Sequence, residues 1–238
     1  MSAPCVLVFA GLDPSGAAGL LADAEAVRAA GARPLGVLTA LTVQTTRAAI
    51  MFEPIDPARL TEMAEALLEE ENVRAIKIGM VGDARSAAAI AKLLQRRKGL
   101  PAVVDPVLRS SSGLSLFKGS LPAAREAYLM LAQGALLTPN ISEAELLLDG
   151  PADARALLAR GPGAVLLKGG HLPGDPVDVL VTRDGEERFS APRIASKARG
   201  TGCRLASAIA AGLAQGTPLR DSVVTAREVV RRHLESHP

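Results

Sequence analysis

The sequence predicts an α/β protein: a doubly wound, mostly parallel sheet with helices on both faces and a small antiparallel hairpin near the C-terminal third. Three observations carry this prediction. Short apolar runs such as Val6-Leu-Val-Phe-Ala, Ala102-Val-Val and Ala164-Val-Leu-Leu are uninterrupted, as strands buried on both faces are. Stretches of helical period separate them, the rhythm of strand–helix–strand units. Asp184-Gly185 stands between two short strand-like runs, 177–182 and 187–189, and signals a tight antiparallel turn.

The totals narrow the classes. A chain of 238 residues can bury a sizeable core, and one domain over 1–238 is expected. Its 27 basic and 25 acidic residues leave a net +2, too little to argue for nucleic acid. With no Trp, one Tyr and four Phe, base-stacking platforms are nearly absent as well. Cys5 and Cys203 form no disulfide framework and offer no metal-ligand spacing. The first apolar run is too short for a signal peptide, and none approaches about 20 residues, so no membrane partner and a cytoplasmic location are expected.

Taken in order, the strand at 6–10 ends in Gly11-Leu-Asp-Pro-Ser-Gly-Ala-Ala-Gly, followed by a helix carrying Leu20, Ala24 and Val27 toward the sheet. These glycines bring backbone close to whatever lies above the strand's carboxyl end, or simply make a tight turn. A second strand, 35–43, closes on Gln44, whose amide offers donor and acceptor to a heterocyclic edge or to solvent. Asp56-Pro57 opens a helix with Leu60, Met63, Leu67 and Leu68 at helical spacing. The strand 75–80 precedes a helix capped by Asp83 and bearing Ala87, Ile90, Ala91 and Leu94.

Strand 102–104 ends at Asp105, placed for Mg²⁺ and phosphate work or for capping the next turn. The Ser- and Gly-rich loop 109–119 is expected to be a mobile flap. After strand 135–138, Ser142 and Glu145 are expected to form a capping box, leaving Asn140 and Glu143 free. Lys168 follows strand 164–167, and Thr217-Pro218 starts a last helix with Leu219, Val223, Ala226 and Val230 inward.

Before that last helix lies Gly200-Thr201-Gly202-Cys203, at the start of an Ala-rich helix. Amide N–H groups without helical partners converge there with the positive end of the helix dipole. Such a turn binds an anion or merely caps the helix, and the field favours a Cys203 thiolate unless Cys203 is an inert buried thiol. Asp105, Asn140, Glu143, Lys168 and this turn all follow strands or open helices, so they share one rim. Acids, a lysine and an anion-binding turn are the parts of phosphoryl transfer, and no GxxxxGK[ST] is present.

The segments Gly11-Leu-Asp-Pro-Ser-Gly, Ala40-Leu-Thr-Val-Gln44, Ile76-Lys-Ile-Gly-Met, Val104-Asp-Pro-Val, Thr138-Pro-Asn-Ile-Ser-Glu, Leu167-Lys-Gly-Gly-His and Gly200-Thr-Gly-Cys stand in a telling order. In order and spacing they resemble the hydroxymethylpyrimidine/phosphomethylpyrimidine kinases of thiamine synthesis, within the ribokinase-like superfamily. The resemblance implies a Mg²⁺- and ATP-dependent kinase of an aminopyrimidine alcohol, its monophosphate, or both, acting as a homodimer. It also implies that Gln44 binds the pyrimidine, that Gly11, Ala18, Val43, Met80 and Val107 line its pocket, and that Asp23 lies close by. Asn140 and Glu143 would organise Mg²⁺ and phosphates beside Asp105, and Lys168 would meet ATP phosphate. Gly200, Thr201 and Gly202 would form the anion hole, and Cys203 would hold the base position. The family usually reads Asn-Thr-His before this turn and Thr after it; here stand Lys197-Ala198-Arg199 and Arg204. Arg199 and Arg204 are expected to recognise a substrate phosphate. A pyridoxal-type kinase and a non-catalytic pyrimidine-binding regulator are the alternatives.

Overall fold

A computed structural model of the chain describes residues 3–110, 112–170, 174–196 and 198–237. In chain order the strands are β1 (Cys5–Leu12), β2 (Arg33–Gln44), β3 (Ala49–Pro54), β4 (Val73–Ile78), β5 (Gly82–Asp83), β6 (Ala102–Val104), β7 (Phe117–Lys118), β8 (Leu136–Leu137), β9 (Ala164–Leu167), β10 (Val177–Val181) and β11 (Glu186–Ser190). The helices are α1 (Gly19–Ala29), α2 (Pro57–Glu70), α3 (Ala84–Arg96), α4 (Leu121–Leu131), α5 (Ile141–Leu148), α6 (Ala154–Leu158), α7 (Thr201–Ala214) and α8 (Leu219–Glu235).

The main sheet has the order β11-β10-β9-β8-β6-β4-β1-β2-β3. From β9 to β2 all neighbours are parallel, and the expected hairpin β10–β11 is antiparallel. A second antiparallel edge, β3 on β2, was not expected from the sequence. Helices α4 and α6 were likewise not read, their short Ala- and Leu-rich stretches carrying little period.

Side-chain alternation divides the core into two layers. Leu7, Phe9, Ile76 and Ile78 pack in one with residues of α2 to α6, and Val6, Val8, Ala10 and Ala75 in the other with residues of α7 and α8. From β1 the chain passes outward to β2, then returns to β4 on the far side of β1. This reversal opens a crevice above the carboxyl ends of β1 and β4, where doubly wound sheets bind ligands.

The described residues of the 109–119 loop are tied to the body of the protein. Phe117 and Lys118 pair with Gly82 and Asp83 in the small β5–β7 sheet, Arg109 bridges Ser115, and Leu108, Leu116 and Phe117 are buried. Apolar side chains between its serines anchor it.

Lys77 interrupts the apolar run of β4 on the α1/α7 side. It is 0% exposed, and its ammonium lies 2.9 and 2.8 Å from the two Asp23 carboxylate oxygens. Ser207 of α7 donates to the same carboxylate at 2.8 Å. Strand, α1 and α7 are thus joined by one buried polar knot. Removing one charge of such a pair leaves the other uncompensated. Lys77→Met is therefore expected to cost about 3–5 kcal/mol in urea unfolding. Adding Asp23→Leu should recover most of that loss; a double variant no more stable than the single would refute the pairing argument.

Candidate active site

The crevice floor is built from close backbone approaches. A Cβ on Gly11 would stand 2.8 Å from Met80 Sδ. Gly19, at φ +61°, packs its Cα where a Cβ would lie 2.4 Å from the Gly11 carbonyl oxygen, so only glycine fits. Between them the 13–19 loop is organised by Asp13. Its carboxylate accepts from Ser15 N–H (2.9 Å), Ser15 O–H (2.7 Å) and Ala18 N–H (3.0 Å). It also accepts from Gln44 Nε2 at 2.9 Å. A carboxylate must be met by the NH₂ end of the amide, so Gln44 Oε1 and the second Nε2 hydrogen remain for a ligand.

Met80 packs with Ala40 and Leu116, and with Val107 and Phe52 at their margin. Tyr128, fully buried on α4, lies 3.1 Å from the Gly79 carbonyl and 3.2 Å from that of Val107, fastening both pocket segments to one helix. Gly11, Ala18, Gln44, Met80 and Val107 are therefore brought together. Val43 is not: it shares the exposed face of β2 with Leu41 and pairs with Met51, while Gln44 reaches Asp13. Asp23 does not line the pocket but lies close by, wholly buried against Lys77 because α1 turns it inward and within electrostatic reach of Cys203 and Asp105.

At the other end of the crevice stands Lys168. Its ammonium is 2.7 Å from Asp105 and 3.9 Å from Glu143, with all three side chains largely buried. Burial works against the Asp105 carboxylate, but the Lys168 and Lys77 ammonium groups outweigh it and hold its pKa below the ordinary range. Burial pushes Glu143 up to about 7, against the pull of Lys168 and with the help of repulsion from Asp105.

The capping box at the start of α5 differs from expectation. Asn140 is the N-cap: its side chain accepts from Glu143 N–H at 2.9 Å, and Glu143 accepts from Asn140 N–H at 2.8 Å. Because the helix opens at Ile141, Ser142 falls inside the first turn and cannot cap. The residues expected to be free are the capping pair, which orients the Glu143 carboxylate toward Lys168.

Helix α7 opens on Gly200, whose left-handed φ of +69° leaves the N–H groups of Thr201, Gly202 and Cys203 as the unpaired amides of the first turn. A Cβ on Gly202 would meet Lys168 Nζ at 3.0 Å, so the ammonium sits beside this turn. Cys203 is not the thiolate expected from the helix field. Burial pushes its thiol up to about 12, despite the Lys77 ammonium and a hydrogen bond from the Gly19 backbone. Loss of solvation outweighs both.

Arg204 does not face a phosphate. It is 5% exposed, donates to the carbonyls of Ala17 (3.1 Å) and Arg199 (3.4 Å), and pairs with Glu25 at 2.7 Å. Arg199 reaches across to the carbonyls of Thr45 (3.4 Å) and Thr46. Both arginines tie loops together. His171 and Lys197 lie outside the described residues.

Asp13, Tyr128 and Lys77 were not read as site residues. Asp13-Pro-Ser-Gly carries a visible turn signal, and a lysine inside an apolar strand demands a buried partner. Tyr128 had no signal beyond being the one tyrosine of the chain.

The phosphomethylpyrimidine kinase family matches residues 13–238. A hydroxymethylpyrimidine/phosphomethylpyrimidine kinase of Escherichia coli (strain K12) is 40% identical over 232 residues, 93% of this chain and 87% of that one. The crystal structure of a phosphomethylpyrimidine kinase from Clostridium difficile 630 superposes with a TM-score of 0.83 at 33% identity, covering 97% and 99% of the two chains. An ADP complex of a Bacillus subtilis pyridoxal kinase gives 0.82 at 25% identity, covering 95% and 90%.

The state of Cys203 is directly testable. With its pKa raised, the nucleophilic thiolate is scarce at neutral pH and grows as pH climbs toward 12. Iodoacetamide labelling of Cys203 in the ligand-free protein, followed by peptide mass spectrometry, should be slow at pH 7 and rise through pH 10. Labelling that saturates below pH 8 would show a thiolate after all.

Proposed function

The chain belongs to the phosphomethylpyrimidine kinase family, and from that premise we propose how this crevice works. The protein phosphorylates 4-amino-5-hydroxymethyl-2-methylpyrimidine, its monophosphate, or both, with ATP as donor. One observation carries the reading: Asp105, Glu143, Lys168 and the α7 turn converge at one end of a crevice whose other end is Gln44 and Met80.

Gln44, oriented by Asp13, presents an acceptor for an exocyclic amino group and a donor for a ring nitrogen. Gly11, Ala18, Met80 and Val107 supply the flat apolar walls. This fixes the hydroxymethyl group toward Cys203 and the α7 turn. The alcohol oxygen then bonds to the γ-phosphorus as the bond from that phosphorus to the β,γ-bridging oxygen breaks, leaving ADP. The transition state is loose, so positioning and charge stabilisation matter more than early proton removal. That suits a Cys203 which begins as a thiol: it positions the hydroxyl, whose proton passes late to an oxygen of the transferred phosphoryl group. Amides of Thr201, Gly202 and Cys203, with Lys168, receive the charge on the transferred group.

Asp105 and Glu143 are hard oxygen donors, and the ammonium between them marks a place where positive charge is at home. Asp105 and Glu143 would hold Mg²⁺, which takes one or two carboxylates beside phosphates. When bound, it would neutralise phosphate charge.

The exposed Leu41, Val43, Ile50 and Met51 on the β2–β3 edge support a homodimer, which light scattering would check. ATP dependence suits a cytoplasmic protein, and no described helix is long and apolar enough to cross a membrane. The deciding assay measures ADP release with hydroxymethylpyrimidine, its monophosphate and pyridoxal as acceptors. Turnover with pyridoxal alone would select a pyridoxal-type kinase, and pyrimidine binding without turnover a regulator.

Gln44→Ala is expected to weaken pyrimidine binding by about tenfold or more, at ~1–3 kcal/mol for polar ligand atoms left unpaired, with ATP affinity little changed. Equal losses for both ligands in calorimetry would contradict the assignment. Glu143→Gln keeps the cap, since an amide oxygen also accepts from Asn140 N–H, but removes the charge. Turnover should fall and the Mg²⁺ requirement rise at unchanged melting temperature; wild-type Mg²⁺ dependence would leave Glu143 a purely structural cap.

A further inference from the structure

Two loops from distant parts of the sequence meet over the crevice. The 13–19 loop carries Ala18 of the pocket wall, and the turn at Gly200 carries the amides that receive phosphate. They touch backbone to backbone: a Cβ on Gly200 would stand 2.1 Å from the Ala17 carbonyl oxygen. A junction this tight between two irregular segments lacks the regular ladder of a sheet, so something else must hold it in register.

Arg204 occupies that place. Nη1 donates to Ala17 O at 3.1 Å and to Arg199 O at 3.4 Å, one carbonyl from each loop. Nη2 pairs with Glu25 of α1 at 2.7 Å, which steers the guanidinium while its plane stays buried. The arginine itself sits on the buried side of α7, one residue after Cys203. The 13–19 loop in turn ends at Gly19, whose backbone N–H lies close enough to the Cys203 sulfur to pull its pKa down. Arg204 thus joins the two loops at the point where both come up to Cys203.

We propose that Arg204 is a positioning residue: it clamps the 13–19 loop onto the α7 turn and so sets the spacing between the pyrimidine wall at Ala18 and the thiol and amides at Cys203. The guanidinium suits the task because its planar fork addresses two carbonyls and a carboxylate at once. Its donors are committed to Ala17, Arg199 and Glu25, so it acts through the loop it holds.

The test has two arms. In hydrogen exchange read by mass spectrometry, which needs no substrate, Arg204→Met should speed exchange in the 14–19 segment by tenfold or more. The α7 interior and β1 should stay within twofold of wild type. In kinetics, the same variant should lower kcat for the pyrimidine at least tenfold and leave KM for ATP within twofold, while Arg204→Lys, able to reach one carbonyl, restores part of the loss. If Arg204→Met does not fold, Glu25→Ala carries the exchange arm, with a two- to fivefold effect confined to the loop. Loop exchange equal to wild type, or acceleration spread evenly over the chain, overturns the clamp. The kinetic arm rests on the kinase reading. A wild-type protein without acceptor-dependent ADP release defeats that reading alone, while unchanged loop exchange defeats this one alone.

Discussion

A buried charge must find its opposite, and the crevice is arranged around that requirement at two depths. Lys77 lies under the rim, fully enclosed with Asp23 and Ser207. Lys168 lies at the rim, between Asp105 and Glu143, with a small opening to solvent. The lower pair is closed and saturated, so its hydrogen bonds fix β4, α1 and α7 relative to one another, while the Lys77 charge is felt at Asp105 and Cys203. The upper trio is lopsided, one cation against two carboxylates, and the second carboxylate is held at a longer distance. That imbalance keeps the site receptive to further positive charge beside phosphates. Burial enforces both outcomes, because in low dielectric an unmatched charge is far costlier than in water.

The parallel sheet explains why these groups meet. Residues 105, 143 and 168 are distant in the chain, yet each follows a strand that ends on the same side. The rhythm of apolar runs was therefore enough to place Asp105, Glu143, Lys168 and the α7 turn on one rim from sequence alone. Legibility failed where a contact depends on geometry finer than that rhythm. The cap of α5 slid from Ser142 to Asn140 because a box of the same spacing fits two frames, and only the strand's exit from β8 selects one. Strand β3 escaped because it is an edge strand whose apolar residues, Ile50 and Met51, stay exposed. The Cys203 thiol was misjudged because dipole and desolvation oppose each other, and burial cannot be weighed before the fold is known.

The two arginines show the same limit from another side. Charge next to an anion-binding turn reads as a phosphate contact when only the sequence is visible. In the fold, α7 presents residue 204 to α1 and to the 13–19 loop, where open carbonyls and Glu25 compete for it. Carbonyl oxygens at tight turns need donors as much as phosphates do. Five N–H groups on a rigid plane can serve several such oxygens where a short hydroxyl side chain reaches one.

This has a consequence for how the reaction centre tolerates its own substrate. In the proposed reaction the α7 amides and Lys168 would receive a highly charged group without the loops around them opening, since water admitted there would weaken every electrostatic contact. Glycine lets the loops approach backbone to backbone, but it also leaves them without side chains to interlock. The clamp must therefore come from elsewhere in the structure, and it must be a donor, because what the junction exposes is a carbonyl, that of Ala17. A positive donor is better still, for its charge lies behind the helix start and adds to the field of the anion hole. Arg204 meets each of these conditions from the helix that also carries Cys203, so the element holding the thiol holds the opposite wall as well.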